Sequence, residues 1–346
     1  MMDAERLAAL PGLLLPWYAQ HARALPWRSD REPYHVWLSE IMLQQTRVEA
    51  VKGYYARFLA AVPDIPALAA ADPDALRKLW EGLGYYSRVR ALHSAAQAIM
   101  AQYGGRFPQE FAEVRALPGI GDYTAGAICS ICFDAPTPAV DGNVLRVVAR
   151  CTGLRACVDE ERTKREVRAA LAAVYPAGRS GDFTQALMEL GATVCLPNGA
   201  PACHICPLAG RCAARDGGWR SLPVRREKKS RRHEERTVLL LRCDGMTAVR
   251  RRPEQGLLAG LWEFPNVPGH LDPAQAVALA EDWGVSPREL EREARRHHVF
   301  THVEWDMRCF VLRCAAAPEG ALHWVSREEL EREIALPTAF RMFRDL

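Results

Sequence analysis

The chain has 346 residues, is 49% hydrophobic and 25% charged, and carries a net charge of +3. These values are ordinary for a soluble globular protein with room for two domains, and the net charge alone does not indicate nucleic-acid binding. The sequence has neither a run of eighteen apolar residues nor a signal peptide, and eleven cysteines without an export signal do not indicate a disulfide framework. We therefore expect a cytoplasmic protein with no membrane partner.

The first part of the chain predicts helices only. From residue 7 to about residue 190, segments rich in alanine and leucine repeat at helical spacing between proline and glycine breaks. After Arg236 the pattern changes, because residues 237–241 and 307–312 are typical of strands while 272–283 and 327–332 predict helices. The sequence therefore predicts an all-α body followed by a smaller α+β domain.

One carboxylate, Glu40, lies in an apolar predicted helix over residues 36–46, VWLSEIMLQQT. The side chains next to it on that helix carry no charge: Val36, Trp37, Leu43 and Gln44. An apolar environment disfavours the ionised carboxylate and raises its pKa, as a general acid at neutral pH requires. The alternative is a glutamate at the helix edge whose carboxylate reaches solvent.

A glycine hairpin, LPGIG at residues 117–121, precedes an apolar helix and then a lone carboxylate, Asp141, in the turn VDGN. Backbone amides exposed around Gly119, Gly121 and the start of the helix would form a phosphate-binding site. A carboxylate about twenty residues later would then lie beside the molecule that carries the phosphate. The alternative is a helix pair broken by glycines, with Asp141 as an N-cap.

Four cysteines lie within eighteen residues after the helical body: Cys195, Cys203, Cys206 and Cys212. A zinc ion and a four-iron cluster both take four thiolates. Structural zinc sites commonly use paired CxxC motifs, and here only Cys203 and Cys206 have that spacing. The wider gaps favour a [4Fe-4S] cluster, with zinc or four simply buried cysteines as alternatives.

The positive charge is concentrated between the two predicted domains, since residues 219–236 hold eight basic and three acidic residues. Such a run is usually a solvated linker, and next to a DNA-binding body it would add phosphate contacts. The sequence thus predicts an all-α domain over 1–218, a basic linker over 219–236 and an α+β domain over 237–346.

The hairpin LPGIG, the motif VDGNV and the cysteine loop together resemble the endonuclease III superfamily of helix-hairpin-helix DNA glycosylases. The family loop is C-x6-C-x2-C-x5-C, whereas seven residues separate Cys195 from Cys203 here. LPWR at 25–28, SEIMLQQT at 39–46, GLGYYSRVR at 82–90 and the C-terminal domain look like the MutY branch, the A/G-specific adenine DNA glycosylases. This resemblance covers nearly the whole chain.

The C-terminal domain resembles a Nudix-type fold at residues 252–265, where Arg252-Pro253 and GLLAGLWEFP occur. The metal motif of Nudix hydrolases is incomplete, because Arg292 occupies a glutamate position, so this domain is expected to bind and not to hydrolyse. We predict residues 288–293 to be a charged helix face. The implied fold is multidomain: an all-α helix-hairpin-helix glycosylase body with an iron–sulfur loop, plus a C-terminal α+β Nudix-like domain that recognises 8-oxoguanine.

The resemblance implies hydrolysis of the N-glycosidic bond of adenine mispaired with 8-oxoguanine or guanine, which leaves an abasic site for base excision repair. Glu40 would protonate adenine N7 and ionised Asp141 would stabilise the sugar cation, while Tyr123 and Asn143 would hold these carboxylates. Lyase-competent relatives carry a lysine at the position of Tyr123, so the resemblance implies a monofunctional glycosylase.

The same resemblance assigns the substrate contacts. The adenine pocket would be walled by Leu25, Trp27, Arg28 and Glu189. The space around the oxidised base would be lined by Gln44, Gln45 and Tyr85, with the last two as wedges. The recognition loop would be Phe300, Thr301 and His302. This loop is usually Phe-Ser-His in the family, so Thr301 keeps the hydroxyl group and adds a methyl group.

The implied partner is double-stranded DNA with an 8-oxoguanine:A or G:A mispair, bound by a monomer associated with the nucleoid. Two other functions stay open: an endonuclease III-like pyrimidine glycosylase with lyase activity, and a non-catalytic iron–sulfur protein that binds DNA or senses redox state. Tyr123 and the extra domain disfavour the first, and the two carboxylates in their motifs disfavour the second.

Overall fold

The computed structural model describes residues 2–227, 230–318, 320 and 322–346. The chain forms two compact units, Met1–Ala70 with Ala91–Glu227 and Ala71–Arg90 with Lys228–Leu346. The first is helical and the second contains a sheet, so the predicted all-α and α+β parts are confirmed. The second unit also takes in residues 71–90 from the helical part of the chain. The predicted boundaries at 218 and 237 stay a prediction.

The helices follow the apolar segments that the sequence analysis identified. In chain order they are α1 Ala4–Ala8, α2 Leu10–His21, α3 Pro33–Leu43, α4 Val48–Ala61, α5 Ile65–Ala70, α6 Pro73–Leu79, α7 Ser87–Tyr103, α8 Phe111–Ala116, α9 Asp122–Phe133, α10 Gly142–Thr152, α11 Glu161–Ala172, α12 Ser180–Thr193, α13 Pro273–Asp282, α14 Arg327–Arg332 and α15 Thr338–Arg341. Apolar side chains of α2, α10 and α12 form one buried core, which includes Leu14, Val148 and Phe183. This core fixes the two helices that carry several of the predicted site residues.

The predicted hairpin connects α8 to α9. Gly119 has a φ of +73°, and a Cβ atom at this position would lie 2.4 Å from the Cβ of Ala91. Both the left-handed backbone and the close approach require glycine here. The hairpin therefore sets the start of α9, and with it the position of Tyr123 near the helix N-terminus.

The second unit is built on a seven-stranded sheet. Its strands are β1 Arg232–Cys243, β2 Met246–Arg251, β3 Trp262–Glu263, β4 Asn266–Pro268, β5 Pro287–Val299, β6 Val303–Cys314 and β7 His323–Ser326. The order is β3-β2-β1-β6-β5, with β4 paired to β1 and β7 paired to β2. The central strands β1 and β6 run parallel, and apolar cores cover both faces of the sheet. The strands predicted at 237–241 and 307–312 and the helices predicted at 272–283 and 327–332 are therefore confirmed.

The prediction of a charged helix face at residues 288–293 is wrong, because these residues belong to β5. Their Glu, Arg and Leu side chains favour a helix by small local free energies. The buried strand β6, however, needs backbone partners on the side away from β1. Strand β5 supplies them in an antiparallel ladder from Pro287 opposite Cys314 to Val299 opposite Glu304.

The predicted basic linker contains ordered contacts at both ends. Val158 donates its backbone N–H to the carbonyl of Val224, and the backbone N–H of Arg226 donates to Asp159. Strand β1 begins at Arg232, and Lys228 and Lys229 lie outside the described residues. Among the helices that the structure describes, none is long and apolar enough to cross a bilayer.

Candidate active site

A cavity of about 600 Å³ lies within the first unit. Its walls come from the turn before α3 and from helices α3, α9, α10 and α12. Ten residues predicted from the sequence line it: Leu25, Trp27, Arg28, Glu40, Gln44, Gln45, Tyr123, Asp141, Asn143 and Glu189. The fold thus brings residues from four distant segments of the chain around one space.

Glu40 is buried on α3, with 6% of its surface exposed. Burial raises the pKa of Glu40 to about 7, although the hydrogen bond from Tyr123 opposes this effect; the charge of Asp141 raises the pKa further. The alternative of a solvated carboxylate at the helix edge is therefore excluded. A carboxyl group with this pKa can hold and release a proton near neutral pH.

Tyr123 is the second residue of α9, and its hydroxyl donates a hydrogen bond to Oε2 of Glu40. Burial raises the pKa of Tyr123 well above its ordinary value, and the negative charge of Glu40 adds to this effect. The phenol therefore stays neutral and remains a donor. Among the described residues that line the cavity, none is a lysine.

Asp141 is the N-cap of α10, as one of the two interpretations of the sequence predicted. Its Oδ1 accepts from the backbone N–H of Val144 at 2.7 Å, and its Oδ2 accepts from Nδ2 of Asn143 at 2.7 Å. Burial raises the pKa of Asp141 even though these hydrogen bonds oppose it. The carboxylate of Asp141 also lines the cavity, so the residue is both a helix cap and part of the candidate active site.

A buried arginine, Arg146, holds Asn143 in place. Its Nη2 donates to Oδ1 of Asn143 at 2.8 Å and to the carbonyl of Gly191 at 2.8 Å, and its Nε donates to the carbonyl of Cys195 at 2.7 Å. A Cβ atom at Gly191 would lie only 2.5 Å from the Cβ of Asn143. The lack of a side chain at Gly191 therefore lets α12 approach the start of α10.

Glu189 lies on α12 with its side chain fully buried, and two arginines bind it. Arg23 donates from Nε to Oε1 at 2.6 Å, and Arg28 donates from Nη2 to Oε2 at 2.8 Å. Burial alone would raise the pKa of Glu189, but the hydrogen bonds from these arginines lower it below its ordinary value. Glu189 is therefore an ionised acceptor inside the cavity.

Sequence reasoning did not assign the other lining residues to the site, and two of them, Arg23 and Gln185, carry long polar side chains. Arg23 lies two positions before the LPWR motif, and no sequence motif includes it. Gln185 lies one helical turn before Glu189 on α12, so its position on the same helix face could have indicated it.

The two predicted wedge residues both have left-handed backbones. Gln45 has a φ of 59° and Tyr85 has a φ of 48°. This conformation costs a non-glycine residue free energy, and such strain is commonest at functional sites. Gln45 belongs to the first unit and Tyr85 to the second.

The predicted recognition loop is the tip of the hairpin between β5 and β6. The N–H of Phe300 donates to the carbonyl of Val303 at 2.8 Å, and this closes the turn. Thr301 and His302 are exposed at the tip. The hydroxyls of Thr301 and Tyr85 are hydrogen-bonded at 2.5 Å, so two residues assigned to the oxidised base are neighbours within the second unit.

The four cysteines of the loop line one small cavity of about 30 Å³. Arg150 donates from Nη1 to Sγ of Cys195 at 3.4 Å, and Sγ of Cys212 donates to the Arg150 carbonyl at 3.4 Å. In the part of the chain that the structure describes, no group of three or more His, Cys, Asp or Glu side chains is arranged to hold a single metal ion.

The extra residue in the cysteine loop is accommodated outside this cavity. The backbone N–H of Ala202 donates to the carbonyl of Val194 at 3.0 Å, which closes the loop between Cys195 and Cys203. Residues 197–200 are exposed beyond this bond. The added length therefore extends the exposed part of the loop.

Residues 38–176 match the HhH-GPD superfamily of base excision DNA repair proteins, and residues 237–345 match the NUDIX domain. The chain is 34% identical to the adenine DNA glycosylase of Mus musculus, in an alignment that covers 99% of this chain and 79% of the mouse protein. The chain belongs to the adenine DNA glycosylase family. It is thus an enzyme of base excision repair that hydrolyses N-glycosyl bonds, and the resemblance to MutY is confirmed.

The adenine DNA glycosylase fold of the helical body is shared with solved structures of other specificity. A thermostable thymine-DNA glycosylase superposes with a TM-score of 0.57 at 26% identity, over 62% of this chain and 99% of that one. A trapped endonuclease III–DNA covalent intermediate superposes with a TM-score of 0.54 at 21% identity, over 64% of this chain and 99% of that one. These likenesses confirm the helix-hairpin-helix glycosylase body.

Proposed function

We propose that this adenine DNA glycosylase removes adenine opposite 8-oxoguanine or guanine in duplex DNA by hydrolysis alone, without cleaving the strand. The observation that carries this proposal is the hydroxyl of Tyr123 on Glu40, at the position where a lyase would carry its nucleophilic lysine. A phenol has no amine nitrogen and therefore cannot form a Schiff base with the sugar.

The adenine must leave the base stack to reach the cavity, at a cost of a few kcal/mol that is smallest at a mispair. The cavity of about 600 Å³ is large enough for a nucleoside. Glu189, held ionised by Arg23 and Arg28, fixes these two guanidinium groups in the wall of the cavity. Leu25 and Trp27 supply apolar walls.

Glu40 donates its proton to N7 of adenine, and the bond between C1′ and N9 breaks with its electron pair moving to the base. The sugar then carries an oxocarbenium-like charge. Asp141, when ionised, stabilises this cation, and Asn143 keeps the carboxylate in position. Water adds its oxygen to C1′ and loses a proton, which leaves an abasic site and free adenine.

The cofactor of this protein is proposed to be a [4Fe-4S] cluster. Its ligands would be the thiolates of Cys195, Cys203, Cys206 and Cys212. The four cysteines line one cavity, and only Cys203 and Cys206 have the CxxC spacing that structural zinc sites commonly use in pairs, which favours a cluster over zinc. When bound, the cluster would supply the cross-links that join the loop to itself. No step of base removal needs to pass through it.

Recognition of 8-oxoguanine is assigned to the second unit. The exposed tip residues Thr301 and His302 present a hydroxyl and an imidazole, and Tyr85 lies within hydrogen-bond distance of Thr301. The strained backbones of Gln45 and Tyr85 support their assignment as wedges that occupy the space left by the flipped base.

A labelled duplex with one 8-oxoguanine:A pair tests this function. The native enzyme should give strand cleavage only after hot alkali, and borohydride should trap no covalent adduct. Glu40→Gln, in the same assay, should give no cleavage and should retain duplex binding. Cleavage without alkali would instead support the lyase, and no cleavage in either lane would support the non-catalytic binder.

A further inference from the structure

The outer strand β5 has an uneven distribution of charge. It ends the main strand order and pairs only with β6 among the described strands. Residues 288–293 mix arginines and glutamates, whereas residues 294–299, ARRHHV, contain two arginines, two histidines and no acid. Charged side chains protect a sheet edge from pairing with another chain, but either sign serves that purpose. Edge protection therefore does not explain why the end near the hairpin tip is basic only.

The acidic residues of β5 are neutralised within the sheet. Glu289 forms an ion pair with Arg313, and Glu293 accepts from Nε of Arg308 at 2.6 Å. Arg295 and Arg296, in contrast, are exposed and form no ion pair with any residue that the structure describes. Arg296 donates from Nη1 to the backbone carbonyl of Arg295 at 2.9 Å, and the other donors of the two guanidinium groups are left for an external anion.

The two histidines beside these arginines are engaged locally. His297 lies 3.6 Å from a carboxylate oxygen of Glu304, and the ring of His298 packs edge-on against Phe300 at 4.5 Å. Burial lowers the pKa of His298, which keeps its imidazole neutral at physiological pH. The available positive charge at this end of β5 thus belongs to Arg295 and Arg296.

The distance from these arginines to the tip matches the spacing of a DNA strand. Phe300 lies four positions after Arg296, which at about 3.3 Å per residue is about 13 Å. Successive phosphates of one strand lie about 3.4 Å apart along the helix axis, so this distance spans about four phosphates when the DNA strand runs along β5. Arg295 pairs with Arg308 and Arg296 with Met307, so the two side chains start on opposite faces of the sheet and flank the open edge of β5. A DNA strand that follows this edge from the tip would pass beside both guanidinium groups.

We propose that Arg295 and Arg296 form a phosphate-binding surface for the lesion-containing strand next to the recognised base. This inference rests on the proposed function, because it places DNA at Thr301 and His302. An acidic peptide added to the sheet as a further strand would need the whole edge, including Glu289 and Glu293. Phosphates need only the basic end, and the observed charge distribution therefore favours DNA.

The test compares Arg295→Ala/Arg296→Ala with a matched control, Arg327→Ala/Arg332→Ala. The control removes the same charge from exposed arginines of α14 that are already paired with Glu331 and Glu328. Both pairs of substitutions are made in the full chain that also carries Glu40→Gln, which prevents base release. The affinity for an 8-oxoguanine:A duplex is then measured between 50 and 200 mM salt, a range over which phosphate contacts make the affinity fall strongly. Thermal unfolding verifies that each variant is folded.

We expect the β5 variant to bind about tenfold more weakly at the lower salt concentration, with a slope of log affinity against log salt smaller by about one to two. The control should have the affinity and slope of the Glu40→Gln parent. Arg295→Lys/Arg296→Lys should also keep the parent slope, because the slope depends on the number of positive charges that contact phosphates. An unchanged affinity and slope in the β5 variant, or an equal loss of affinity in the control, would overturn the proposed phosphate-binding surface. Failure of native enzyme to release adenine would overturn the proposed function instead.

Discussion

Two carboxyl groups in one cavity have different surroundings, and this difference defines their roles. Glu40 accepts a hydrogen bond from Tyr123, and burial raises its pKa to about 7. Asp141 accepts from the backbone of Val144 and from Asn143, and these bonds favour its ionised form while burial opposes it. Environments that differ in this way separate an acid from an anionic stabiliser in glycoside chemistry.

The pH dependence of base release follows from these two groups. Glu40 must carry a proton, so the single-turnover rate should fall as pH rises through about 7, by about tenfold per pH unit well above it. Asp141 must be ionised, so the rate should also fall on the acid side, at a pH above the ordinary range for aspartate. A rate that stays constant from pH 7 to 9 would contradict Glu40 as the acid.

Glu40→Gln should lower the rate of base release by about 10² to 10⁴. Any residual rate should no longer fall as the pH rises through about 7. The variant should also be more stable at high pH. The pKa of Glu40 is higher in the folded state, so the ionised form costs folding free energy above pH 7 and none below the unfolded value. We expect a gain of about 3 kcal/mol in the free energy of unfolding at pH 8.

Chemical denaturation at two pH values distinguishes this effect from a general change in packing. At pH 4 the carboxyl group is protonated in both states, so the gain should be close to zero. An equal gain at pH 4 and pH 8 would mean that the pKa of Glu40 is not raised by the fold.

At the level of elements, the site depends on how closely α12 approaches α10. Gly191 allows this approach, and Arg146 joins Gly191, Asn143 and the loop residue Cys195 through its guanidinium group. The position of Asp141 at the start of α10 is thus fixed both by its own capping bonds and by a neighbouring helix.

Gly191→Ala should displace Asn143, because the added Cβ would lie 2.5 Å from the Asn143 Cβ. We expect a loss of about 1–3 kcal/mol in stability from overpacking and a fall of about 10²-fold in the rate of base release. Thermal unfolding and single-turnover kinetics measure the two effects. Gly12→Ala is the control, since a Cβ on α2 at Gly12 meets nothing within 4 Å. Equal rates for both variants would exclude this positioning role.

At the level of the whole molecule, the residues proposed to act on the substrate are divided between two units. The first contains the cavity with both carboxylates, and the second contains the hairpin tip with Thr301. Residues 71–90 belong to the second unit although they precede most of the helical body in the chain. Lys78 donates to the carbonyl of Ile334 at 2.9 Å and Glu81 accepts from the N–H of Leu336 at 2.9 Å, which fixes the segment that carries Tyr85.

Thr301→Ala/His302→Ala should weaken discrimination between 8-oxoguanine:A and G:A duplexes by about five- to a hundredfold, because the hydrogen bonds lost at the tip contribute about 0.5–1.5 kcal/mol each. The relative rate of base release on the two duplexes measures this effect. The rate on G:A should stay near that of the native enzyme, and an unchanged ratio would exclude a sensor role for the tip.

Local sequence determined the helices, the hairpin and the strands at 237–241 and 307–312, because turns, caps and periodicity depend on neighbours in the chain. Ten residues that line the cavity were named through motifs that resemble a known family. Only the tertiary structure decided that residues 288–293 form a strand, since β6 needed a backbone partner. It also decided that 71–90 packs with the C-terminal unit, that Arg23 binds Glu189, and that the pKa of Glu40 is about 7. Burial and long-range pairing depend on residues far apart in sequence, and no local pattern contains that information.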